Sequence, residues 1–353
     1  IGIKNDISAY DIEMILSREK TAKRIIDAKV LIIDEISMLD AATLNSVDRV
    51  LRSLRRSVLM EERPFGGLQV IFVGDFFQLP PISKNQDTKF AFESEAWKEA
   101  NPVACYLNEQ HRQDDGEFLE LLSAWRHGDL DTMHYEILEA RIGKVPTKSV
   151  ATRLYTHNAN VDRVNADALA GIEGSPRTFR MSSHGVRALV DTLKAQCLSP
   201  EVLELKEGAA VMFTRNNFEA GYVNGTLGEV MSFSPLGVPI VKTRGGKMIA
   251  AEQQEWAIQD GNKILAKVTQ VPLRLAWAIT VHKSQGMSLD AAVIDLSQAF
   301  EYGQGYVAVS RVRTLSGLFL EGFNQRALEL HPKVAAADRH FRNYSTAARK
   351  KFA

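Results

Sequence analysis

Val30-Leu31-Ile32-Ile33-Asp34-Glu35 is a run of four apolar residues that ends in two carboxylates. A second apolar run, residues 70–73, ends at Gly74-Asp75. Both runs are typical of strands that are buried on two faces. A helix is predicted between them, capped at Asp40. Its apolar residues recur at helical spacing: Leu44, Val47, Leu51, Leu54 and Val58. The order strand, helix, strand predicts a parallel sheet.

The same pattern continues outward from this unit. Residues 103–107 offer a further strand, and the next helix has a predicted buried face made of Phe118, Leu121, Leu122 and Trp125. A linker is predicted at 144–147, after which a strand at 151–155 leads into a helix. Turn signals break residues 225–272 into short apolar segments, which predicts a β-rich insert.

The α/β pattern resumes after the insert. Strands are predicted at 275–280, 292–296 and 318–320, and residues 333–352 are expected to form either a packed helix or an arm for a partner. Packing is favoured, because Val334, Phe341 and Tyr344 give that helix a partial apolar face.

Length and composition restrict the class of protein. A chain of 353 residues is too long for one ordinary core, so two domains are expected. Lys+Arg and Asp+Glu both total 43, so nucleic acid could be bound only by a local groove.

Cys105 and Cys197 lack the spacing of a zinc site or a disulfide scaffold, which favours reduced thiols in a cytosol-like compartment. No apolar run approaches the roughly 20 residues of a membrane span, so no membrane partner is expected.

Asp34 and Glu35 stand where open α/β sheets bind ligands, at the end of a strand. One carboxylate there can hold Mg²⁺, and its neighbour can polarise a water that attacks a γ-phosphate. The alternative is a pair of solvated loop acids.

Gly74-Asp75-Phe76-Phe77-Gln78-Leu79-Pro80-Pro81 follows the second strand, so Gln78 is expected at the same sheet edge as Glu35. An amide at that position can contact a γ-phosphate and the attacking water. The alternative is a surface turn that the prolines stiffen.

Arg112 and Arg311 lie in different predicted domains. Two guanidinium groups that meet at a cleft could neutralise the charge that develops on a transferring phosphoryl group. Taken singly, each arginine could instead form a structural ion pair.

The segment Ala278-Ile279-Thr280-Val281-His282-Lys283-Ser284-Gln285-Gly286-Met287 places cationic and hydroxyl groups directly after an apolar run. Such a segment can hold phosphates, including those of a nucleic-acid backbone. Thr156 and Asn158 follow the strand at 151–155 in the same way, although helix capping is the alternative for both.

These motifs occur together and in the order of a known set. Asp34-Glu35-Ile36-Ser37-Met38, residues 74–81, residues 280–286 and Ser310-Arg311-Val312-Arg313-Thr314 resemble the petite-integration-frequency (PIF-type) DNA helicases. These are superfamily 1B enzymes related to RecD. The resemblance extends over about residues 25–330 and includes the insert, which is similar to the SH3-like 2B element of that family.

The resemblance implies an α/β fold of two RecA-like parallel-sheet domains, the P-loop NTPase helicase core. The first domain (1A) would span 1–145, and the second (2A) 146–224 and 273–353, with the insert at 225–272. It also implies an enzyme that uses ATP and Mg²⁺ to move 5′ to 3′ on single-stranded DNA and to unwind duplex junctions, working as a monomer.

Roles for single residues follow from the resemblance alone. Asp34 would be the Mg²⁺ ligand, Glu35 the catalytic base and Gln78 the γ-phosphate sensor. Arg112 and Arg311 would be arginine fingers, and Gly286 a further nucleotide-binding residue. The DNA contacts would be Thr156, Asn158, Thr280, His282, Lys283 and Ser284.

The sequence departs from the family in one respect. It contains no Gly-x-x-x-x-Gly-Lys-Ser/Thr, the loop whose amides and lysine hold the β- and γ-phosphates. In the family this loop lies upstream of Asp34-Glu35, and we expect that the chain, which opens at Ile1, starts inside a longer protein. ATPase activity would then require upstream residues.

Two other functions stay open at this point. One is a noncatalytic module that binds single-stranded nucleic acid after loss of the phosphate loop. The other is an NTP-driven switch that acts on protein. The expected location is the cytoplasm for a prokaryotic protein, and the nucleus or mitochondrion for a eukaryotic one.

Overall fold

The structure is a computed structural model that describes residues 7–17, 19–59, 62–81, 89–107, 109–113, 115–144, 151–260 and 263–352. It divides into two compact units. The first unit comprises residues 1–140, 296–310 and 323–353, and the second comprises 141–295 and 311–322. The linker predicted at 144–147 lies, apart from Lys144, outside the described residues.

Within the described residues, the helices are α1 (Ala9–Leu16), α2 (Glu19–Asp27), α3 (Ala41–Leu59), α4 (Glu95–Ala100), α5 (Gly116–His127), α6 (Thr132–Glu139), α7 (Asn158–Ala170), α8 (Arg187–Gln196), α9 (Gln304–Val309), α10 (Gln325–Leu328) and α11 (Pro332–Phe352). The strands are β1 (Val30–Ile33), β2 (Gln69–Phe72), β3 (Thr152–Tyr155), β4 (Arg177–Arg180), β5 (Ser182–Gly185), β6 (Val202–Leu205), β7 (Ala210–Phe213), β8 (Leu227–Phe233), β9 (Pro239–Thr243), β10 (Met248–Ala250), β11 (Gln254–Asp260), β12 (Lys263–Gln270), β13 (Leu273–Leu275), β14 (Ala278–Thr280), β15 (Ala292–Leu296) and β16 (Leu318–Phe323).

The predicted strand, helix, strand arrangement is confirmed in the first unit. β1 and β2 pair in parallel, and α3 connects them. The backbone N–H of Thr43 donates to Asp40 Oδ1 at 2.7 Å, which is the predicted cap. The predicted buried face of α5 is also confirmed, because all four of its apolar residues are buried.

The prediction that β1 and β2 are buried on both faces is wrong. The side chains of Leu31 and Phe72 pack against the core beneath α3, but those of Ile32 and Ile71 on the opposite face are 63% and 41% exposed. The reason is that the core lies on only one side of the pair. The alternation of buried and exposed residues is that of a sheet covered on one face.

The prediction of a strand at residues 103–107 is also wrong. The first-unit sheet in the described part of the chain has two strands, β1 and β2, and residues 103–107 pair with neither. Val103 and Leu107 are therefore left exposed. Tyr106 is held instead by α11, since its hydroxyl donates to Asp338 Oδ1 at 2.5 Å.

The last helix, α11, packs as predicted. The ring of Phe341 stacks on that of Phe76, with 6.1 Å between centroids, and Val334 is buried. Tyr344 was predicted on this apolar face, but it is exposed.

A buried guanidinium group fastens α3 to the backbone around it. Arg55 Nε donates to the carbonyl of Gly66 at 2.6 Å, and Nη1 donates to the carbonyls of Ile26 and Ala28 at 2.9 and 3.1 Å. Burying a guanidinium group is tolerable only when its donors are paired. Arg55 thus ties the end of α2, the approach to β1 and the turn before β2 to one helix.

The parallel sheet predicted for the second unit is confirmed in part. Its strand order is β14-β3-β15-β16, and β3 pairs in parallel with both β14 and β15. The strand predicted at 275–280 is divided. β13 pairs with β7 in an antiparallel sheet, whereas β14 joins the parallel one, so residues 276 and 277 carry the chain between two sheets.

The prediction that residues 225–272 are rich in β-strands is confirmed, because β8–β12 lie there. These strands belong to two antiparallel sheets, ordered β10-β9-β8-β7-β13 and β11-β12-β5. Both sheets take in strands from outside 225–272, so the described strands do not confirm an SH3-like form. The predicted domain boundaries stay a prediction.

No helix in the described part of the chain combines the length and the apolar character that a membrane span requires.

Gly66→Ala should lower the free energy of unfolding of the first unit by at least about 2 kcal/mol. Gly66 has a φ of +61°, and a Cβ there would lie 2.7 Å from the carbonyl oxygen of Leu51 and 2.8 Å from Arg55 Cδ. Urea denaturation measures the loss, and hydrogen exchange of the β1 and β2 amides assigns it to this unit.

Gly128→Ala is the matched control. Gly128 has a similar φ of +76°, but its Cβ would make only an ordinary contact, 3.6 Å from Leu330 Cδ1. This variant should lose only the cost of the left-handed backbone, about 1–2 kcal/mol. Equal losses in the two variants would show that the close approach to Leu51 and Arg55 is not a constraint.

Candidate functional site

Glu35 lies directly after β1 in a left-handed backbone conformation, with φ 51° and ψ 46°. A residue other than glycine adopts this conformation at a cost, and such strain occurs preferentially at functional sites. The backbone N–H of Glu35 donates to Oδ1 of the exposed Asp34 at 2.9 Å. The two carboxylates are therefore presented by one sharp turn.

Backbone hydrogen bonds join the ends of the two strands. Val73 N donates to the carbonyl of Ile33 at 2.8 Å, and Ile36 N donates to the carbonyl of Val73 at 3.0 Å. The two segments approach closely at Gly74, because a Cβ there would stand 3.0 Å from Ile36 N. The segment that carries Glu35 and the segment that leads to Gln78 are thus held together, as predicted from the parallel sheet.

Gln78 is half-buried, and the turn before it is fixed by Asp75. The backbone N–H of Gln78 donates to the carbonyl of Asp75 at 2.9 Å. The carboxylate of Asp75 accepts from Arg126 Nη2 at 3.1 Å, and the Arg126 guanidinium lies over the ring of Phe77, 4.8 Å from its centroid. The turn is therefore anchored on α5.

A glycine supports the same turn from another side. Gly303, with φ +76°, approaches so closely that a Cβ would lie 2.6 Å from the carbonyl oxygen of Phe77 and 2.8 Å from that of Gln78. Any side chain at residue 303 would displace the Gln78 backbone.

Arg112 is half-buried in the first unit, near Glu35. Burial lowers the pKa of Arg112, and the hydroxyl of Tyr306 and the carboxylate of Glu35 oppose that change. Arg112 Nη1 donates to the carbonyl of Ser310 at 3.3 Å, and Nε2 of the buried Gln113 donates to the same carbonyl at 2.9 Å. The structure thus brings together Asp34, Glu35, Gln78 and Arg112 within one unit, on the strand ends and the loops beside them.

The other predicted site residues lie in the second unit. Thr280 ends β14, and its Oγ1 accepts from Lys283 N at 3.3 Å. Ser284 is fully buried and its hydroxyl donates to the carbonyl of Val281 at 2.7 Å. Both hydroxyl groups thus hydrogen-bond within the 3-10 turn His282–Ser284. The two basic residues of the turn, His282 and Lys283, are half-buried.

Burial lowers the pKa of both basic side chains. For His282 burial is the cause, and for Lys283 the charge of Arg274 lowers the pKa further while Asp162 opposes it.

Thr156 and Asn158 lie at the end of β3, beside this segment. The N–H of Val281 donates to the carbonyl of Tyr155 at 3.0 Å. Thr156 is buried, and Asn158 is the exposed first residue of α7, whose N-cap residue is His157.

Gly286 and Arg311 are the remaining predicted residues of the second unit. Gly286 is exposed with φ +76° and has open space around it. Arg311 is buried, and its carbonyl accepts from Leu289 N at 2.8 Å.

An asparagine on α7 fixes the position of β14. Nδ2 of Asn165 donates to the carbonyl of Ala278 at 2.9 Å, and the N–H of Ala278 donates to Asn165 Oδ1 at 3.0 Å. β14 is the first strand of its sheet, so in the part of the chain that the structure describes no strand pairs with its outer edge. The Asn165 amide takes the place of that missing strand.

Three residues that hold the segments of the candidate site in place were not predicted from the sequence. Arg126 resembles a surface residue of α5, and Asn165 resembles a polar residue in an ordinary helix. The Gly303-Gln304-Gly305 sequence was a signal that could have been used, since paired glycines before an apolar helix indicate a close backbone approach.

Comparison with known families supports the resemblance. The family model described as PIF1-like helicase matches residues 1–149, and the one described as DNA helicase Pif1, 2B domain, matches residues 188–233. The 2B match overlaps the insert predicted at 225–272 only at its start.

The chain is 40% identical to the ATP-dependent DNA helicase Pif1 of Psychrobacter sp., with all of this chain and 62% of that protein covered. It is 36% identical to the ATP-dependent DNA helicase Pif1 of Bdellovibrio bacteriovorus, covering 86% of this chain and 68% of the relative. The chain spans about half the length of the vertebrate relatives, for example 48% of human PIF1.

Two solved structures are similar over nearly the whole chain. The crystal structure of Pif1 helicase from Candida albicans has a TM-score of 0.81 and 33% identity, covering 94% of this chain and 81% of that one. The Bacteroides Pif1 helicase in complex with ADP-AlF3 and single-stranded DNA has a TM-score of 0.68 and 31% identity, covering 97% and 79%.

Asn165→Ala should lower the free energy of unfolding of the second unit by about 2–4 kcal/mol, because it leaves two buried backbone groups unpaired. The measurement is thermal and urea denaturation, with hydrogen exchange at β14. Asn158→Ala, on the exposed start of the same helix, is the control and should change stability by less than about 0.5 kcal/mol. If the two variants are equally stable, Asn165 does not hold the edge of β14.

Proposed function

The chain belongs to the PIF1-like helicase family, and on that premise we propose that it forms part of an ATP-dependent DNA helicase. The proposed enzyme hydrolyses ATP, moves 5′ to 3′ along single-stranded DNA and unwinds duplex junctions. The observation that carries the proposal is the strained Glu35 turn, which stands beside the Gln78 segment and within electrostatic reach of Arg112.

The chemistry of this constellation suits phosphoryl transfer to water. Glu35 is the proposed base that orients the attacking water, and the Gln78 amide is the proposed sensor of the γ-phosphate. Arg112 supplies a positive charge that burial makes more effective against a developing negative charge, since water screens it less. Arg311 is proposed as a second such group, from the motif match alone.

The Asp34 carboxylate fits Mg²⁺, because it is exposed and uses Oδ1 for a single backbone N–H. Mg²⁺ is usually bound through one or two carboxylates and several waters, and it neutralises charge on the phosphates of a bound nucleotide. The residues of this chain supply the γ-phosphate side of the site. The loop for the β-phosphate would have to come from residues upstream of Ile1.

Nucleic acid is the proposed ligand of the second unit. The 3-10 turn at 282–284, the end of β3 and the start of α7 lie together, and they offer His282, Lys283 and Asn158 to a phosphate backbone. The relatives support this assignment, because a similar Bacteroides structure contains single-stranded DNA. A noncatalytic module is not favoured, since both bacterial relatives are named ATP-dependent helicases.

Glu35→Gln should lower DNA-stimulated ATP hydrolysis by about 100- to 10,000-fold, because the amide cannot accept a proton from the attacking water. The assay uses a polypeptide that extends upstream of Ile1 and carries the phosphate loop, with single-stranded DNA added. Glu120→Gln is the control, since Glu120 is an exposed acid in the same unit. Hydrolysis that does not depend on DNA, or an unchanged rate in Glu35→Gln, would refute the proposed activity.

Lys283→Ala should weaken the binding of single-stranded DNA by about tenfold, equally for all base sequences, because a contact to phosphate carries no sequence information. Fluorescence anisotropy with oligonucleotides of different sequence measures the loss. The control is Lys263→Ala, an exposed lysine of β12 in the same unit. A loss confined to some sequences would contradict a backbone contact.

A further inference from the structure

Arg274 is a half-buried cation for which, among the described residues of its unit, Asp162 is the carboxylate that acts on its charge. It lies in β13 and is mostly removed from solvent, so burial lowers its pKa, with only Asp162 opposing. Its Nε is buried without a hydrogen-bond partner, and in the described part of the chain no carboxylate lies within ion-pair distance of it. A half-buried guanidinium group whose Nε is left without a hydrogen bond is costly for the folded protein.

A second cation stands close to the first. Lys283 is half-buried and near enough to Arg274 for the two positive charges to repel, which contributes to the low pKa of Lys283. Among the described residues, its ammonium group likewise has neither a hydrogen bond nor an ion pair. Asp162 is the carboxylate that acts on both groups, and it is exposed.

The two cations come from different elements that the fold holds in place. β13 pairs with β7, and the 3-10 turn of Lys283 follows β14, whose edge is fixed by Asn165. The fold therefore fixes the backbone from which each side chain extends. An anion that binds both side chains would relieve the repulsion between the two positive charges.

We propose that Arg274 and Lys283 together bind one segment of the phosphate backbone of single-stranded nucleic acid. The inference rests on the proposed function and adds Arg274, which lies outside the motifs that carry the family resemblance, to the binding surface. Its guanidinium group offers several donors to phosphate oxygens, whereas Lys283 acts as a point charge. The repulsion between Arg274 and Lys283 destabilises the free protein, and the bound phosphate backbone would offset that cost.

The experiment compares Arg274→Met, which keeps an unbranched stem but removes the charge, with the conservative Arg274→Lys. Binding of labelled oligodeoxythymidylate is measured by anisotropy at several salt concentrations. Arg274→Met should weaken binding about tenfold and reduce the slope of log affinity against log salt by about 0.7, the value for one phosphate contact on a single strand. Arg274→Lys should recover most of the affinity.

Stability separates this role from a structural one. Arg274→Met should unfold at the same temperature as the wild-type protein or higher, because it removes a half-buried charge and its repulsion with Lys283. Arg180→Met is the matched control, since Arg180 is exposed on β4 of the same unit, and it should change neither binding nor stability. The double variant Arg274→Met/Lys283→Ala should lose less affinity than the two single losses combined, as expected for neighbours on one backbone segment.

The outcomes are distinct. Wild-type affinity and salt slope in Arg274→Met overturn the inference, and so does weaker binding that is accompanied by a lower unfolding temperature. If Lys283→Ala weakens binding and Arg274→Met does not, the proposed function stands and only the role of Arg274 fails. If the wild-type chain does not bind the oligonucleotide, both fail.

Discussion

Parallel strands have to be joined by a crossover, and a crossover helix contributes no hydrogen bond to the sheet that it covers. In each unit of this protein, a buried polar side chain on a helix forms hydrogen bonds with the backbone of the strands or of the segments that lead into them. Arg55 on α3 binds backbone carbonyls before β1 and before β2. Asn165 on α7 binds both polar groups of Ala278 in β14. The strand ends that carry the candidate site depend on these two side chains for their position, although neither touches a proposed ligand.

The candidate site also concentrates energetic costs. Glu35 is held in a left-handed conformation, Arg112 is partly desolvated, and Arg274 and Lys283 stand close together without carboxylate partners in the described residues. Each feature weakens the free protein, and phosphate groups would offset that cost for the three cationic side chains. The supporting residues have the opposite character, because Arg55, Asp75 and Asn165 are paired and serve stability. Costly residues at a site and well-paired residues around it are expected where the site is adapted to bind a ligand and the surrounding fold supplies the stability.

Local sequence predicted the parts of this structure that depend on short-range patterns. The apolar runs before Asp34 and Gly74 and the cap at Asp40 are examples, because a few neighbouring residues determine them. Failures occurred where the partner is distant in sequence. Residues 103–107 have the composition of a strand but no strand to pair with, and residues 275–280 form one apolar run that two different sheets divide. Arg55 lies four residues after Leu51, beside the predicted apolar face of its helix, but its backbone partners at Ile26, Ala28 and Gly66 are brought to it only by the fold.

Among the described residues, nothing covers one face of the β1 and β2 pair. Val30, Ile32, Ile71 and Val73 form an apolar patch on that face, and water is released when two such patches meet. The equal numbers of acidic and basic residues provide no net repulsion between molecules near neutral pH to oppose this attraction. Salts such as sulfate strengthen it further. This patch therefore favours self-association of the polypeptide, and moderate ionic strength and a pH away from neutrality should oppose it.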